Sequence, residues 1–454
     1  MSRPVSVAAT RRPDRLGLLS LASVSVPLAA LSLPLVIMIP EYYATALGIP
    51  LALIGLIFTV VRVFDIVADP LIGAAMDRTR SRWGRYKPWL VIGAPALMMS
   101  VYLLFMAQPG VGPLYLLVTL TAVFLGWSVL SLAQLALAAA LTQEYDERSN
   151  VYAWLQGAFL LGTVAVMGFP LLMARLEGST MGPTQVMGWV VIVLMAPAVA
   201  LAAWRAPEAT AAVQRHIVSI REYLSVVGRP AVMRLALIDL LFGLGFGSAS
   251  AVMVFFFTAA KGLERGSIGI ILIAQMTTAM IAVPFLARLA RHSDKHVVLG
   301  ASGILAAVVS LVFLVLPKGN LLLICLAMAA WGICYGAFTL LPRAMMADAG
   351  DELRLDSGSD QTGVLFALLI SSWKLGGALS VGVSFLALAM IGYQPALMAD
   401  NAPEAISGLQ LVFAGPSAIL FLLGAWLSFT YPLTRVRHAA VRTALDAREA
   451  EVRP

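Results

Sequence analysis

Residues 62–93 read RVFDIVADPLIGAAMDRTRSRWGRYKPWLVIG. An apolar run bearing Arg62, Asp65 and Asp69 ends in a short loop with Arg78, Arg80, Arg82, Arg85 and Lys87, and a second apolar run begins at once. Spacings of three and four put the first three charges on one face of a helix. In lipid each costs on the order of 2.5–3.5 kcal/mol on insertion scales, so that face must look inward, at protein or water. The basic loop marks the cytoplasmic side of a membrane. The whole chain has the matching composition: 454 residues, 60% hydrophobic and 12% charged, against roughly 45–50% and about 25% in soluble domains. A mean hydropathy of +0.89 excludes both a soluble globular protein and a disordered one. The net charge of +7 comes from Lys and Arg spread through short loops, which fits topology signals and no nucleic-acid partner.

Working outward, apolar runs recur near 17–40, 50–75, 88–108, 113–142, 151–174, 187–205, 232–258, 266–287, 297–317, 319–347, 361–392 and 408–430, each close to the ~20 residues a crossing needs. Basic residues follow the even-numbered spans, at Arg148, Arg205, Arg215, Arg221, Arg229, Arg288, Arg291, Lys295 and Arg354, and fill both tails. The opposite loops hold little beyond Arg175, Lys261, Arg265 and Lys318, which places both termini in the cytoplasm. The basic N-terminus lacks a cleavage pattern and reads as a tail. The charged loop from Ala206 to Arg229 divides the chain into two six-span halves, and the segment after span two has a faint echo, VPFLARLARHSDKHVVLGASG, after span eight. The expected fold is therefore all-α: twelve transmembrane helices in two pseudo-symmetric bundles around a midplane cavity. Its parts are a tail 1–16, a bundle 17–205, a central loop 206–231, a bundle 232–430 and a tail 431–454. Pro27, Pro34 and Pro40 in span one, and Gly243, Gly245 and Gly247 in span seven, read as helix breaks at corresponding positions.

Ionisable groups within spans carry the functional signal. Two carboxylates one turn apart, Asp65 and Asp69, can hold Na+ directly, or one of them a transferable proton. The alternative is a buried salt network in which Arg62 neutralises one Asp and Asp69, just before Pro70, helps close the helix end. Lys374, in LLISSWKLGGALS of span eleven, shifts that balance, because a lone ammonium there needs a carboxylate and Asp65 or Asp69 is the partner to expect. Asp239 in span seven either binds solute or closes a salt bridge, and Arg234 at i−5 lies too far round the helix to be its ideal partner. His216, His292, His296 and His438 fall in loops or the tail, so no imidazole serves a membrane relay or metal site. Cys325 and Cys334, nine residues apart, have neither disulfide nor metal-ligand spacing. There is no HExxH, and GSAS at 247–250 has no membrane His to activate a serine, so enzyme chemistry has no motif. Trp127, Trp154 and Trp373 are rings that could stack on a solute.

Three stretches together resemble the glycoside-pentoside-hexuronide:cation symporters, the melibiose-permease-like branch of the major facilitator superfamily. They are RVFDIVADPLIGAAMDRTRSRWGRYKPWLVIG, then LLPRAMMADAGDELRLDSGSDQTGVLFALLISSWKLGGAL with Asp348, Asp351, Gly363 and Lys374, then ALTQEYDERSNVYAWLQG with Thr142, Asp146 and Arg148. The resemblance implies alternating access, a cation site at Asp65 and Asp69, a polar coupling cluster that includes Arg62 and Lys374, and gating loops through Asp77, Arg78, Gly84, Arg85, Asp146, Arg148, Asp348 and Asp351. The family's sugar-binding acids would fall near Val26 or Pro27 and at Ala133, where this chain has none. Its span-five arginine becomes Gln156, and a hydroxyl residue in span four becomes Leu130. Gln134, Gln156, Trp127, Trp154, Asp239 and Trp373 are then the residues expected to line the solute cavity.

The expectation is a multi-pass inner-membrane symporter, not an enzyme, acting as a monomer without a cofactor. It would couple Na+ or H+ to a small organic solute, by family default a sugar or glycoside. A lysolipid, another amphiphile or an organic anion is the alternative solute, since the sugar clamp is missing. A transport-inactive sensor or scaffold is the alternative of another class.

Overall fold

A computed structural model describes residues 15–141, 182–205, 228–357 and 362–452, with isolated positions between 154 and 168. Among them the regular elements are all helical. Helices α1 (Arg15–Ser23) and α2 (Ser25–Thr45) make the first span, followed by α3 (Leu51–Arg78), α4 (Lys87–Phe105), α5 (Pro113–Leu141), α6 (Pro183–Arg205) and α7 (Pro230–Phe255), which a π turn (Phe256–Ala260) extends. Then come α8 (Ser267–His292), α9 (Lys295–Val315), α10 (Leu321–Ser357), α11 (Thr362–Met390), a 3-10 turn (Pro395–Asp400), α12 (Pro403–Phe429) and α13 (Arg435–Val452). Among the described residues eleven helical spans are long and apolar enough to cross a membrane. The span expected at 151–174 is described at only half of its positions, all of them helical and between 154 and 168. Helices are what lipid demands, because each bonds its own backbone where no water can.

Helix ends follow local chemistry. Proline opens α4, α7 and α12 in the first turn, where its missing N–H would be unpaired anyway. Gly84 turns the α3–α4 loop with φ +89°, a left-handed conformation that a side chain would strain.

Two expected sets of breaks are corrected. The first span breaks at Val24, and α2 runs helically through Pro34 and Pro40, with Pro27 in its first turn. Gly243, Gly245 and Gly247 lie inside the continuous α7. They serve close approach: an added Cβ would stand 3.2 Å from Trp373 O, 2.8 Å from the Phe421 ring and 3.3 Å from Gly377 Cα, respectively. Small residues let neighbouring backbones pack without a kink.

Helix α3 packs on α5, α4 on α5 and α6, and α2 on α6. Beyond the central loop, α7 packs on α11 and α12, α8 on α10, and α9 on α12 and α10. The two groups meet where α3 lies along α11 and α2 along α7. The α3–α11 crossing is tight at Gly55, where an added Cβ would come within 3.1 Å of Gly382 O. The later group has an aromatic core in which Phe256 stacks on Phe413 at 4.0 Å, with Phe313 and Trp331 edge-on or tilted around them.

Candidate functional site

The charged face of α3 is turned toward α5 and α11, so the helix periodicity read from the sequence becomes a cluster drawn from three helices. Lys374 Nζ of α11 donates to Asp69 Oδ2 at 2.5 Å and lies 3.7 Å from Asp65 Oδ2. Arg62 reaches Asp65 Oδ2 at 3.6 Å and stacks its guanidinium 3.9 Å from the centre of the Phe124 ring. Ser128 Oγ donates to Asp65 Oδ1 at 2.7 Å, and the Trp127 ring lies 5.5 Å from Lys374 Nζ. Phe124, Trp127 and Ser128 share one face of α5 by the same three-and-four spacing.

Two cations balance two carboxylates in this cluster. Asp65 is only 1% exposed, whereas Asp69 and Lys374 keep about a fifth of their side chains accessible, at 23% and 19%. Asp65 Oδ2 and Asp69 Oδ1 are buried and accept no hydrogen bond. A buried carboxylate oxygen without a donor is costly unless a cation faces it. Lys374 Nζ, 3.7 Å from Asp65 Oδ2 and 2.5 Å from Asp69 Oδ2, is a cation that both carboxylates face. The oxygens on offer, from two carboxylates and a hydroxyl, suit a hard cation, and among the described residues no group of three or more His, Cys, Asp and Glu is arranged to hold a metal ion.

A second wall comes from the later helices. Asp239 of α7 is buried, and Arg343 of α10 is exposed and donates to Thr339 O. Arg343 lies within electrostatic reach of both Asp239 and Tyr335. The Tyr335 ring packs 4.6 Å from Phe246 and 6.2 Å from Trp373, and Phe246 stacks on Trp331 at 5.0 Å. Asp239 thus lies in the field of Arg343, while Arg234 bonds Thr430 O.

The remaining expected site residues divide. Trp127 and Trp373 join the two walls. Gln134 is buried, its Nε2 donating to Leu21 O at 2.7 Å and Ser25 Oγ at 2.8 Å, so it ties α5 across the Val24 break. Trp154 is exposed, and Gln156, Asp146 and Arg148 lie outside the described residues. Asp77 and Arg78 end α3, and Gly84 and Arg85 lie in the following loop. Asp348 and Asp351, expected in a loop, are helical because α10 continues to Ser357. Its acidic end is held by neighbours: Lys295 Nζ meets Asp348 Oδ2 at 2.6 Å, His438 Nε2 meets Asp351 Oδ2 at 3.0 Å, and Arg437 meets Glu352 at 2.5 Å. This docks α13 on α10.

Sequence reading missed Arg343, Tyr335, Phe124 and Ser128. The rule that singled out Lys374 also applies to Arg343, a cation inside an apolar run, whereas nothing in the sequence marks which serine meets Asp65. It also missed Glu41, which is buried and pairs with Arg265 at 2.6 Å. That bridge joins the end of α2 to the loop before α8, on the face opposite the basic loops.

Comparison with known proteins follows from this geometry. A family profile described as MFS/sugar transport protein matches residues 20–435. The inner membrane symporter YicJ of Escherichia coli (strain K12) is 25% identical over 411 residues, covering 86% of this chain and 85% of the relative. The sodium-dependent lysophosphatidylcholine symporter 1 of Xenopus tropicalis is 25% identical over 431 residues, covering 85% of this chain and 81% of the relative. The crystal structure of the nucleoside transporter NupG superposes with a TM-score of 0.64 at 14% identity, over 92% of this chain and all of that one. The likeness shows the shared major facilitator fold.

Proposed function

The chain belongs to the MFS/sugar transport protein family and is a multi-pass, cation-coupled secondary transporter working by alternating access, and from that premise we propose that Asp65 and Asp69 hold its coupling cation, Na+. The observation that carries this reading is the pair of buried carboxylate oxygens without hydrogen-bond donors, with Lys374 seated beside them as a tethered cation. Sodium dependence in the name of the Xenopus relative supports Na+ over H+. An arriving ion would displace Lys374 from Asp69 and loosen the α3–α11 contact, so ion occupancy and the arrangement of the two helix groups are linked reciprocally. The units that rock are 17–205 and 232–430, the termini are cytoplasmic in the inner membrane, and the protein acts as a monomer.

The solute is a small organic molecule, a sugar or glycoside by family default. A second reading rests on the aromatic wall and Arg343: a guanidinium within electrostatic reach of Tyr335, whose ring packs on Phe246 and Trp373, suits an anionic amphiphile, the class to which a lysolipid belongs. The deciding experiment is Na+ calorimetry on purified protein across pH, comparing the native chain with Asp65→Asn. Saturable heat lost in the variant is the expected result. Heat retained in the variant removes Asp65 from the site, and no heat at any pH points to H+ coupling or to a sensor that does not transport.

A further inference from the structure

The α3–α4 loop and the end of α6 enclose a cavity of about 980 Å³ whose walls include Arg80, Arg82, Arg85 and Lys87. Trp83 and Trp204 line it too, each exposed and each beside an arginine: Arg82 lies 5.7 Å from the Trp83 ring, and Arg205 4.5 Å from the Trp204 ring. Among the described residues no acidic side chain lines this cavity. Val91, Ala200 and Ala203 line both it and a second cavity of about 700 Å³ between α4 and α6. The second is apolar, with Met98, Met99 and Ile192 in its walls, and ends where Tyr102 meets Trp189 edge-on at 6.0 Å. From Val91 to Tyr102 the groove follows α4 for about 16 Å at 1.5 Å per residue. That is the depth of one leaflet of a hydrocarbon core roughly 30 Å thick.

We propose that these joined cavities bind an anionic phospholipid from the leaflet on the basic face, its phosphate among Arg80, Arg82, Arg85 and Lys87 and one acyl chain along the α4–α6 groove. Four cations with no lining carboxylate among the described residues call for negative charge, and tryptophans beside them mark the headgroup level. A soluble anion would use only the basic cavity. The apolar groove that opens from it, one leaflet deep, selects a lipid. This site is separate from the α3–α11 cluster and does not depend on the solute.

The test is native mass spectrometry of the full-length protein released from nanodiscs of mixed phosphatidylglycerol and phosphatidylcholine, with thermal stability titrated by each lipid and by inorganic phosphate. Phosphatidylglycerol should be retained in preference and should raise the unfolding midpoint. Arg80→Gln combined with Arg82→Gln, at exposed loop positions, should weaken its binding about thirtyfold, roughly fivefold per cation near the surface. Ala200→Trp, which fills the neck between the cavities, should abolish retention. Equal retention of the two lipids, or unchanged binding in the double variant, overturns the proposal. So does stabilisation by inorganic phosphate that matches the lipid's and survives Ala200→Trp, because it would assign the basic cavity to a soluble anion. Should Ala200→Trp fail to fold, the double variant decides.

Discussion

Replacing Lys374 with methionine should make the protein bind its coupling cation more tightly. Lys374 Nζ stands 2.5 Å from Asp69 and 3.7 Å from Asp65. At an effective dielectric constant of about 20 these contacts carry roughly 7 and 4 kcal/mol of Coulomb energy. Only 19% of the lysine side chain is exposed, so desolvation cancels most of that gain. A hydrogen bond to a charged group is worth about 1.5–3 kcal/mol net. In the native chain an entering ion must break that bond, whereas in Lys374→Met it need not. At 1.4 kcal/mol per tenfold, Na+ should bind about 10- to 100-fold more tightly. The ion-free variant, with Asp69 deprived of its partner, should lose about 3 kcal/mol of stability, and Na+ should restore it. Isothermal calorimetry gives the affinity, and thermal unfolding with and without Na+ gives the rescue. A dissociation constant within twofold of the native value would refute the competition between Lys374 and the ion.

Arg265→Gln breaks the bridge to Glu41. Because Arg265 is half exposed, the contact between α2 and the loop before α8 should lose only about 1 kcal/mol, which predicts roughly fivefold faster labelling, by an impermeant maleimide in a background lacking Cys325 and Cys334, of a Thr59→Cys reporter at the α3–α11 crossing beside Gly382. An unchanged rate would show that the bridge does not latch that contact. Gly376→Ala places a Cβ 2.8 Å from Leu244 N and 2.9 Å from Leu240 O. Backbone cannot swing aside, so α7 and α11 must part at a cost of about 1–3 kcal/mol, read as a lower unfolding midpoint, and an unmoved midpoint would contradict the close packing. Arg343→Gln should raise the KM for an anionic amphiphile about 10- to 100-fold while leaving Na+ affinity intact. Equal uptake by variant and parent would take Arg343 out of the solute path.

Much of the architecture was legible without coordinates, for reasons particular to lipid. Segments such as 51–76 and 295–315 are apolar over the length of a crossing, and their helicity needs no tertiary information because the bilayer offers no other way to satisfy the backbone. The same scarcity made Asp65, Asp69 and Lys374 conspicuous, and their pairing across two distant helices could be anticipated because each needs a partner. Glycines were misread. A Gly in a membrane helix either loosens it or admits a neighbour's backbone, and only the position of α11 and α12 against Gly243, Gly245 and Gly247 decides between them. The resemblance puts Asp348 and Asp351 in a loop, yet α10 continues helically to Ser357, its end paired with Lys295, Arg437 and His438 from other elements.

By itself, then, the sequence determined the solvent, the helices, the face of α3 that carries charge and the identity of the buried ions. These depend on composition and on a period of 3.6 residues, both local properties. Tertiary structure alone decided that Ser128 rather than another hydroxyl meets Asp65, that Gln134 ties helices together, that Asp239 lies in the field of Arg343, and that three loop arginines and Lys87 open onto a groove between α4 and α6. Each of those is a meeting of residues far apart in the chain. Their distances are set by how helices cross, and neither composition nor periodicity records a crossing.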